Sequence, residues 1–446
     1  MAPSGLPDEV LNLSSIELLI IQALPNHTLE ALEEPDSPQS LAHQWLLTDL
    51  EENNYTLTSR LKQRFALASL FHATNGEDWL VNDHWLNHSV HECFWFARET
   101  FLDVPTDNFS YVEVTNPNPC EMPPEQINGS RAVNIEHNHY QHIWLHSNSL
   151  QGSLPLELFW LTDLRSISLY NNQDVAGSIP SNIGKLSKVE ALNLGGTSLS
   201  GSLPTEIGLL SDSMFSIAII NAQLEGNLPS ELGTLPTEIG LLSDVKDFAV
   251  YGNSFTGTIP SQVGLMSSVE NLDFDENYIS GTFPSEVFLL TNMRRFWACC
   301  NVLTGTIPSE FGGIATLEWF QSGSNALTGT IPAEFEQLPL LNTLDLEHNM
   351  LSGSLPQGLS PHIEWLDVTN NSMLTGPLPA QFTNLFWLFL EGTQISGILP
   401  HYLCDIDTLE FDCSAILCGC GCSCMNETNT TFSQVMNSTN GDASRV

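Results

Sequence analysis

The segment Leu344-Asp-Leu346-Glu-His-Asn349-Met-Leu351-Ser-Gly353-Ser-Leu355-Pro356 decides the reading of this chain, because Leu272-Asp-Phe274-Asp-Glu-Asn277-Tyr-Ile279-Ser-Gly281-Thr-Phe283-Pro284 repeats it position by position. Working outward, Gly-x-(Leu/Ile/Phe)-Pro recurs at Gly152, Gly177, Gly201, Gly226, Gly257, Gly281, Gly305, Gly329, Gly353, Gly376 and Gly397, at intervals of 25, 24, 25, 31, 24, 24, 24, 24, 23 and 21 residues. A period of this size marks a solenoid, in which each repeat is one unit stacked on the next. The pair Leu272 and Phe274 has period two and reads as a short strand with one buried face. Next comes a column of Asn148, Asn172, Asn253, Asn277, Asn301, Asn325, Asn349 and Asn371. Side-chain amides there can bond the backbone of the tight bend in their own and the adjacent coil, satisfying groups that stacking would otherwise bury unpaired. Thr197, Ala222 and Thr393 interrupt the column, and Ala222 cannot make the bond. Gly lets the chain turn, and Pro ends strand pairing and starts the opposite side of the coil. One coil cannot bury its own apolar edge, whereas stacked coils share a continuous core.

The resulting pattern, LxLxxNxLxGxIPxxhGxL, resembles the plant-type leucine-rich repeat. The resemblance implies an α/β solenoid, a right-handed horseshoe with a parallel sheet on its concave face. Eleven strands spaced about 4.8 Å apart would make a track of about 50 Å. One irregularity stands out: Leu203 to Asp212 recurs identically at Leu235 to Asp244, which makes the interval after Gly226 seven residues too long. It reads either as a short duplication near 229–244, extruded on the convex side with strand register resuming at Phe248, or as a flaw in the underlying gene sequence.

Composition excludes several functions. The 446 residues carry 52 acidic against 12 basic side chains, a net charge of -40. Phosphate backbones need clustered Lys and Arg, so nucleic acid is excluded as a partner, and an anionic membrane surface is equally unsuited. No run of 18 apolar residues is present, so direct membrane insertion is not expected. Ten cysteines, and sequons at Asn12, Asn26, Asn54, Asn87, Asn108, Asn128, Asn370, Asn426, Asn429 and Asn437, point to an oxidising, glycosylating compartment. The location expected is extracellular or at the cell surface. Asp8, Glu9 and Glu17 stand where the basic region of a signal peptide would be, and Ile16 to Leu24 is short and interrupted. The expectation is therefore that the sequence begins inside a longer chain carrying its own anchor.

The ends read differently from the repeats. Residues 1–35 form a poorly defined segment. From 36 to 142 the reading is a helical cap: Ser37-Pro38 opens a helix with Leu41 and Trp45 on one face, and Thr58 or Ser59 opens a second with Leu61, Phe65, Ala68 and Phe71 along one side. Repeats fill 143–403, a Cys-rich cap 404–425, and a disordered tail 426–446. Plant-type caps carry Trp, Cys-x-Trp and a nearby second Cys. On that resemblance Cys93 pairs with Cys120 across an acidic insert, and Cys404, Cys413, Cys418, Cys420, Cys422 and Cys424 form disulfides of undetermined connectivity. Adjacent Cys299 and Cys300 leave three states open: a vicinal disulfide, thiols, or pairing between chains. Asp36-Ser-Pro-Gln, Trp45-Leu-Leu, Arg64-Phe-Ala-Leu-Ala, Thr74-Asn-Gly and the Asp-Cys…Cys-x-Cys tail narrow the resemblance to the large leucine-rich-repeat family of diatoms, some of whose members are receptor-like.

No kinase, Walker, zinc-protease or nucleophile-elbow motif is present, and no cofactor is expected. Glu136, His137, His139, His142 and His146 could approach a metal, but solvated cap residues are the simpler reading and no metal is assigned. The strand-flanking positions are the informative ones. Trp319, Trp365 and Trp387 share one column with Arg295, while Trp297, Phe389, Asp273, Asp345 and Asp367 share the next, and Asp275, Glu347 and Glu391 a third. Exposed Trp marks binding surfaces, and carboxylates with aromatic faces suit a cationic ligand. The alternative is that the rings pack on one another. The function expected is a non-enzymatic recognition module that binds a peptide, protein or glycan on this face, with a co-receptor a possible further partner. A structural or adhesive surface protein is the alternative.

Overall fold

Short parallel strands, one per repeat, alternate with a proline-opened turn along most of the chain. The computed structural model describes residues 26–53, 58–82, 85–89, 140–210, 214–228, 242–382 and 384–399, with the backbone of strands 408–412, 416–418 and 431–435. The chain divides into two units, 1–211 and 212–446.

In the first unit, helices α1 (Asn26–Leu32), α2 (Pro38–Asn53) and α3 (Thr58–Ala73) precede the strands. Ser37 caps α2, its Oγ accepting the Ser40 N–H at 3.0 Å. Ala42, Leu46 and Leu50 of α2 pack on Leu61, Phe65 and Ala68 of α3, with Trp45 partly buried beside them. A fully buried pair, Arg64 and Asp49 at 2.8 Å, ties the two helices, and the Arg64 guanidinium lies 5.1 Å over the Trp45 ring. Helix α1 falls at the end of the segment 1–35, whose first 25 residues lie outside the described set. Thr28 of α1 donates to Glu157 Oε1 at 2.7 Å and Gln39 of α2 to Glu157 Oε2 at 2.9 Å, so one carboxylate 129 residues from Thr28 holds both helices.

Strands His142–Trp144, Ser166–Ser168 and Ala191–Asn193 follow in parallel register, the first starting one residue before the expected boundary at 143. Turns of 3-10 type at Leu156–Trp160, Ser181–Lys185 and Thr205–Leu209 each follow an extended Pro. His142 Nδ1 lies 2.8 Å from Ser166 Oγ, and burial lowers the pKa of His146. Glu136, His137 and His139 lie outside the described residues, as do Cys93 and Cys120.

In the second unit, Ser216–Ala218, Asp247–Ala249, Asn271–Asp273, Arg295–Trp297, Trp319–Gln321, Thr343–Asp345, Trp365–Asp367, Trp387–Phe389 and Thr408–Asp412 form consecutive parallel strands. Ile217 stands opposite Phe248, so pairing resumes directly across the long interval; residues 229–241 lie outside the described set. The far side of each coil adds a second sheet, Ser280–Gly281 through Gln394–Ile395. Gly329 there has φ +80°, and a Cβ would sit 2.8 Å from Thr306 Cγ2, so the position demands glycine. Between the sheets lies an aromatic core in which Phe296, Phe311, Phe320 and Phe335 are fully buried and in ring contact. The parallel strands and stacked sheets are those of an α/β leucine-rich-repeat solenoid.

The Asn column forms a ladder. Asn349 Nδ2 donates to Ser322 O of the preceding coil and to Leu346 O and Glu347 O of its own, while its Oδ1 accepts the Leu327 N–H at 2.9 Å. Asn253, Asn277, Asn301, Asn325 and Asn371 repeat the pattern in this unit, as Asn172 does in the first, and Asn148 joins Val81 to its own bend. Thr393 keeps only its own coil's bonds, to Leu390 O and from the Ile395 N–H.

Within 426–446, Thr431–Val435 pairs antiparallel with Thr408–Asp412. Pairing removes the open edge of the last parallel strand. The side chains of Cys404 to Cys424 lie outside the described residues, as do Asn12, Asn54, Asn108, Asn128, Asn426, Asn429 and Asn437; Asn87 and Asn370 are exposed. Among the described residues no helix is long and apolar enough to cross a membrane.

Candidate functional site

The strand face of the second unit carries every residue of the expected ligand surface. The middle residue of each strand, from Phe248 to Leu388, is fully buried, so the residues on either side turn to the opposite face. Two aromatic groups result. Arg295 places its guanidinium 5.9 Å from the Trp297 ring and 5.2 Å from the Trp319 ring, which meet edge to face. Further along, Trp365 lies 5.4 Å from Trp387 and 5.3 Å from Phe389, and Phe386 flanks Trp387 at 5.7 Å. Trp319, Trp365, Trp387 and Phe389 remain half-buried, whereas Trp297 is only 7 % exposed. Trp297 therefore does not present an open ring: Arg295 and Trp319 cover it. The Trp365 Nε1–H is buried with no acceptor among the described residues.

The strand-face carboxylates are engaged with the backbone. Asp273 Oδ1 accepts the Asp275 N–H at 3.0 Å, Asp345 Oδ1 the Glu347 N–H at 3.2 Å, and Asp367 Oδ1 the Thr369 N–H at 2.9 Å. These three hold the strand exit in shape, an Asx bond to the backbone two residues on. Asp273 and Asp367 are buried. Burial pushes the Asp273 carboxyl up to about 7, and burial with the neighbouring Asp367 charge pushes Asp345 up to about 7. Asp367 rises to about 6 for the same first reason, and Asp275 stands well above the usual carboxylate range through burial and the charge of Asp273. Near neutral pH this face thus carries less negative charge than the sequence count implies. Glu347 contacts Ser324 Oγ at 3.4 Å and His348 Nδ1 at 3.2 Å, and Glu391 is half-buried.

Two features escaped the strand-column reading. Lys246, Glu270, Arg294 and Glu318 recur every 24 residues one position before the strand and line a shallow rim groove of about 410 Å³. Their charges pair in sequence, Lys246 with Glu270 at 3.1 Å and Arg294 with Glu318 at 2.6 Å, so the groove offers little net charge. That spacing was the available signal. Cys299 and Cys300, left open among three states, are joined as a vicinal disulfide on the strand face.

A sequence profile described as Leucine Rich Repeat matches residues 340–361. No curated protein matches the chain. Among solved structures, the chain is similar to the ectodomain of the Arabidopsis receptor kinase HAESA, solved with an N-terminally extended IDA peptide hormone, at 26% identity and a TM-score of 0.54, covering 65% of this chain and 48% of that one. It is similar also to the ectodomain of the Arabidopsis thaliana receptor kinase GASSHO1/SCHENGEN3, at 26% identity and a TM-score of 0.48, covering 63% and 40%. A leucine-rich-repeat protein of Leptospira interrogans matches at 26% identity and a TM-score of 0.46, covering 61% and 71%. The chain spans about half the length of the plant receptor structures it matches.

Proposed function

Since this chain is a plant-type leucine-rich-repeat protein, we propose that it is a non-enzymatic recognition module, acting outside the cell or at its surface, that takes an extended peptide along the strand face from Asn271 to Glu391. The observation that carries this is the half-buried cluster of Trp365, Trp387 and Phe389, with Phe386 exposed beside it. Rigid aromatic rings left partly open on a charged, regularly spaced strand face are what peptide anchors dock against. The likeness to the HAESA ectodomain, whose structure holds a peptide hormone, supports the same class of ligand. Trp319 and Arg295 form the second anchor; Asp345 and Glu347 stand on the coil between the two and Glu391 at the far end, receptive to a basic side chain. Exposed Asn87 and Asn370, both in sequons, fit the compartment.

The test is selection of peptides from a displayed library on the purified protein, followed by Trp365→Ala with Trp387→Ala. Affinity for the selected peptide should fall by about 2 kcal/mol or more, as hot-spot loss implies. Because the two rings also pack on each other, unfolding midpoints of parent and variant accompany the measurement. Unchanged affinity in a folded variant would reduce the rings to packing and leave the structural or adhesive role in place.

A further inference from the structure

The Cys299–Cys300 bridge closes no loop, since its residues are adjacent, and a disulfide stabilises mainly through the loop that it closes. Nor does the bend need it. Cys300 has φ +58°, but Glu276, Ser324, His348 and Asn370 hold the equivalent position at +51°, +48°, +48° and +56° without any cross-link. The backbone bonds match as well: Cys300 N–H to Gly323 O at 3.0 Å corresponds to Ser324 N–H to Glu347 O at 2.8 Å and His348 N–H to Thr369 O at 2.7 Å. The sulfurs are also reachable, because Cys300 is exposed and Cys299 half-buried. They sit two and three residues beyond Trp297, with the Cys299 N–H donating to Asp275 Oδ1 at 2.5 Å.

A bridge that neither staples a loop nor shapes the bend, yet faces solvent on the strand face, has chemistry as its remaining property. We propose that Cys299–Cys300 is a thiol-exchange site, open to a dithiol reductant while the protein stays folded. A thiolate of the reductant attacks the exposed Cys300 sulfur, the S–S bond breaks, and Cys299 leaves with the electron pair as a thiolate. The second thiolate of the reductant then attacks the mixed disulfide at its own sulfur, releasing Cys300 as a thiolate and the reductant as a cyclic disulfide. Two electrons pass to the protein, and both thiolates take protons from water according to pH. The exchange replaces a ring of linked sulfurs with two separate side chains at the exit of the strand that carries Arg295 and Trp297. Any effect on peptide recognition rests on the strand-face reading above; the exchange itself does not.

The experiment treats the whole protein with dithiothreitol in the absence of denaturant, alkylates it with iodoacetamide, and reads the peptide holding both cysteines by mass spectrometry. No alkylation is expected before reductant and two alkylations after it. Cys299→Ser with Cys300→Ser should keep its unfolding midpoint within about 2 °C of the parent, a change of under about 1 kcal/mol. Alkylation without reductant would show that the thiols were never joined and overturn the proposal. So would alkylation that requires unfolding, or a midpoint loss of about 5 °C or more in the double variant, which would make the bridge a staple. The labelling reads the sulfurs directly and needs no peptide ligand, so its failure is distinct from failure of the recognition reading.

Discussion

Asn349→Ala should cost about 3 kcal/mol of unfolding free energy and lower the midpoint by about 8 °C, because it leaves one buried N–H unpaired in the preceding coil and takes a donor from carbonyls in both coils. The Leu327 N–H loses its acceptor, and the carbonyls of Ser322, Leu346 and Glu347 each lose one donor while keeping a second, from Asn325 Nδ2, Asn371 Nδ2 and the Ser324 N–H. Each buried group left unpaired costs about 1–3 kcal/mol. Asn349→Thr supplies the internal control, since Thr393 shows what a hydroxyl can do at this position: it serves Leu390 O and the Ile395 N–H of its own coil and does not bridge to the preceding one. The Thr variant should therefore lose about half as much. Chemical denaturation of the three proteins decides the matter. If the Ala and Thr variants lose equal amounts, or both lose less than about 1 kcal/mol, the ladder does not couple the coils.

Acidification from pH 7.5 to 5 should stabilise this protein, raising its midpoint by about 5–10 °C where many proteins begin to lose stability. Asp273 and Asp345 titrate at about 7 and Asp367 at about 6 in the folded chain, against an ordinary value of 3.8. Folding thus raises these values, and over the interval from about 7 down to about 4 the folded state binds protons that the unfolded state does not. Stability rises as pH falls through that window and levels off below it, the reverse of a carboxylate held low by an ion pair. The fall in self-repulsion of a chain with net charge -40 works in the same direction. Asp273→Asn separates the two effects. The amide oxygen can keep accepting the Asp275 N–H while removing the buried charge, so the variant should melt higher than the parent at pH 7.5 and gain less on acidification. A parent midpoint that falls steadily from pH 7.5 to 5 would contradict the burial argument.

Much of the candidate face was legible in the chain because strand geometry is simple. Once Leu344 and Leu346 are recognised as the buried side of a strand, Thr343, Asp345 and Glu347 must lie on the other side. The same period placed Trp319, Trp365 and Trp387 in one column and Trp297 with Asp273 in the next, and pairing of Arg295 with Trp319 and of Trp365 with Trp387 bears out that register. What the period does not carry is the depth at which each side chain comes to rest. Trp297 shares a column with half-exposed Phe389, yet the guanidinium of Arg295 and the ring of Trp319 cover it.

The sequence by itself therefore determined the repeat, the strand register across the long interval after Gly226, and the role of the Asn column, because each follows from local spacing repeated until its meaning is unambiguous. The tertiary structure alone decided how acidic the face is and which rings are open. Those properties depend on desolvation and on neighbours one coil away, and residues some 24 positions apart come within bonding distance only when the coils stack. It also decided what helix α1 meets, since its Thr28 finds Glu157 across 129 residues, a pairing that no local pattern of either segment contains.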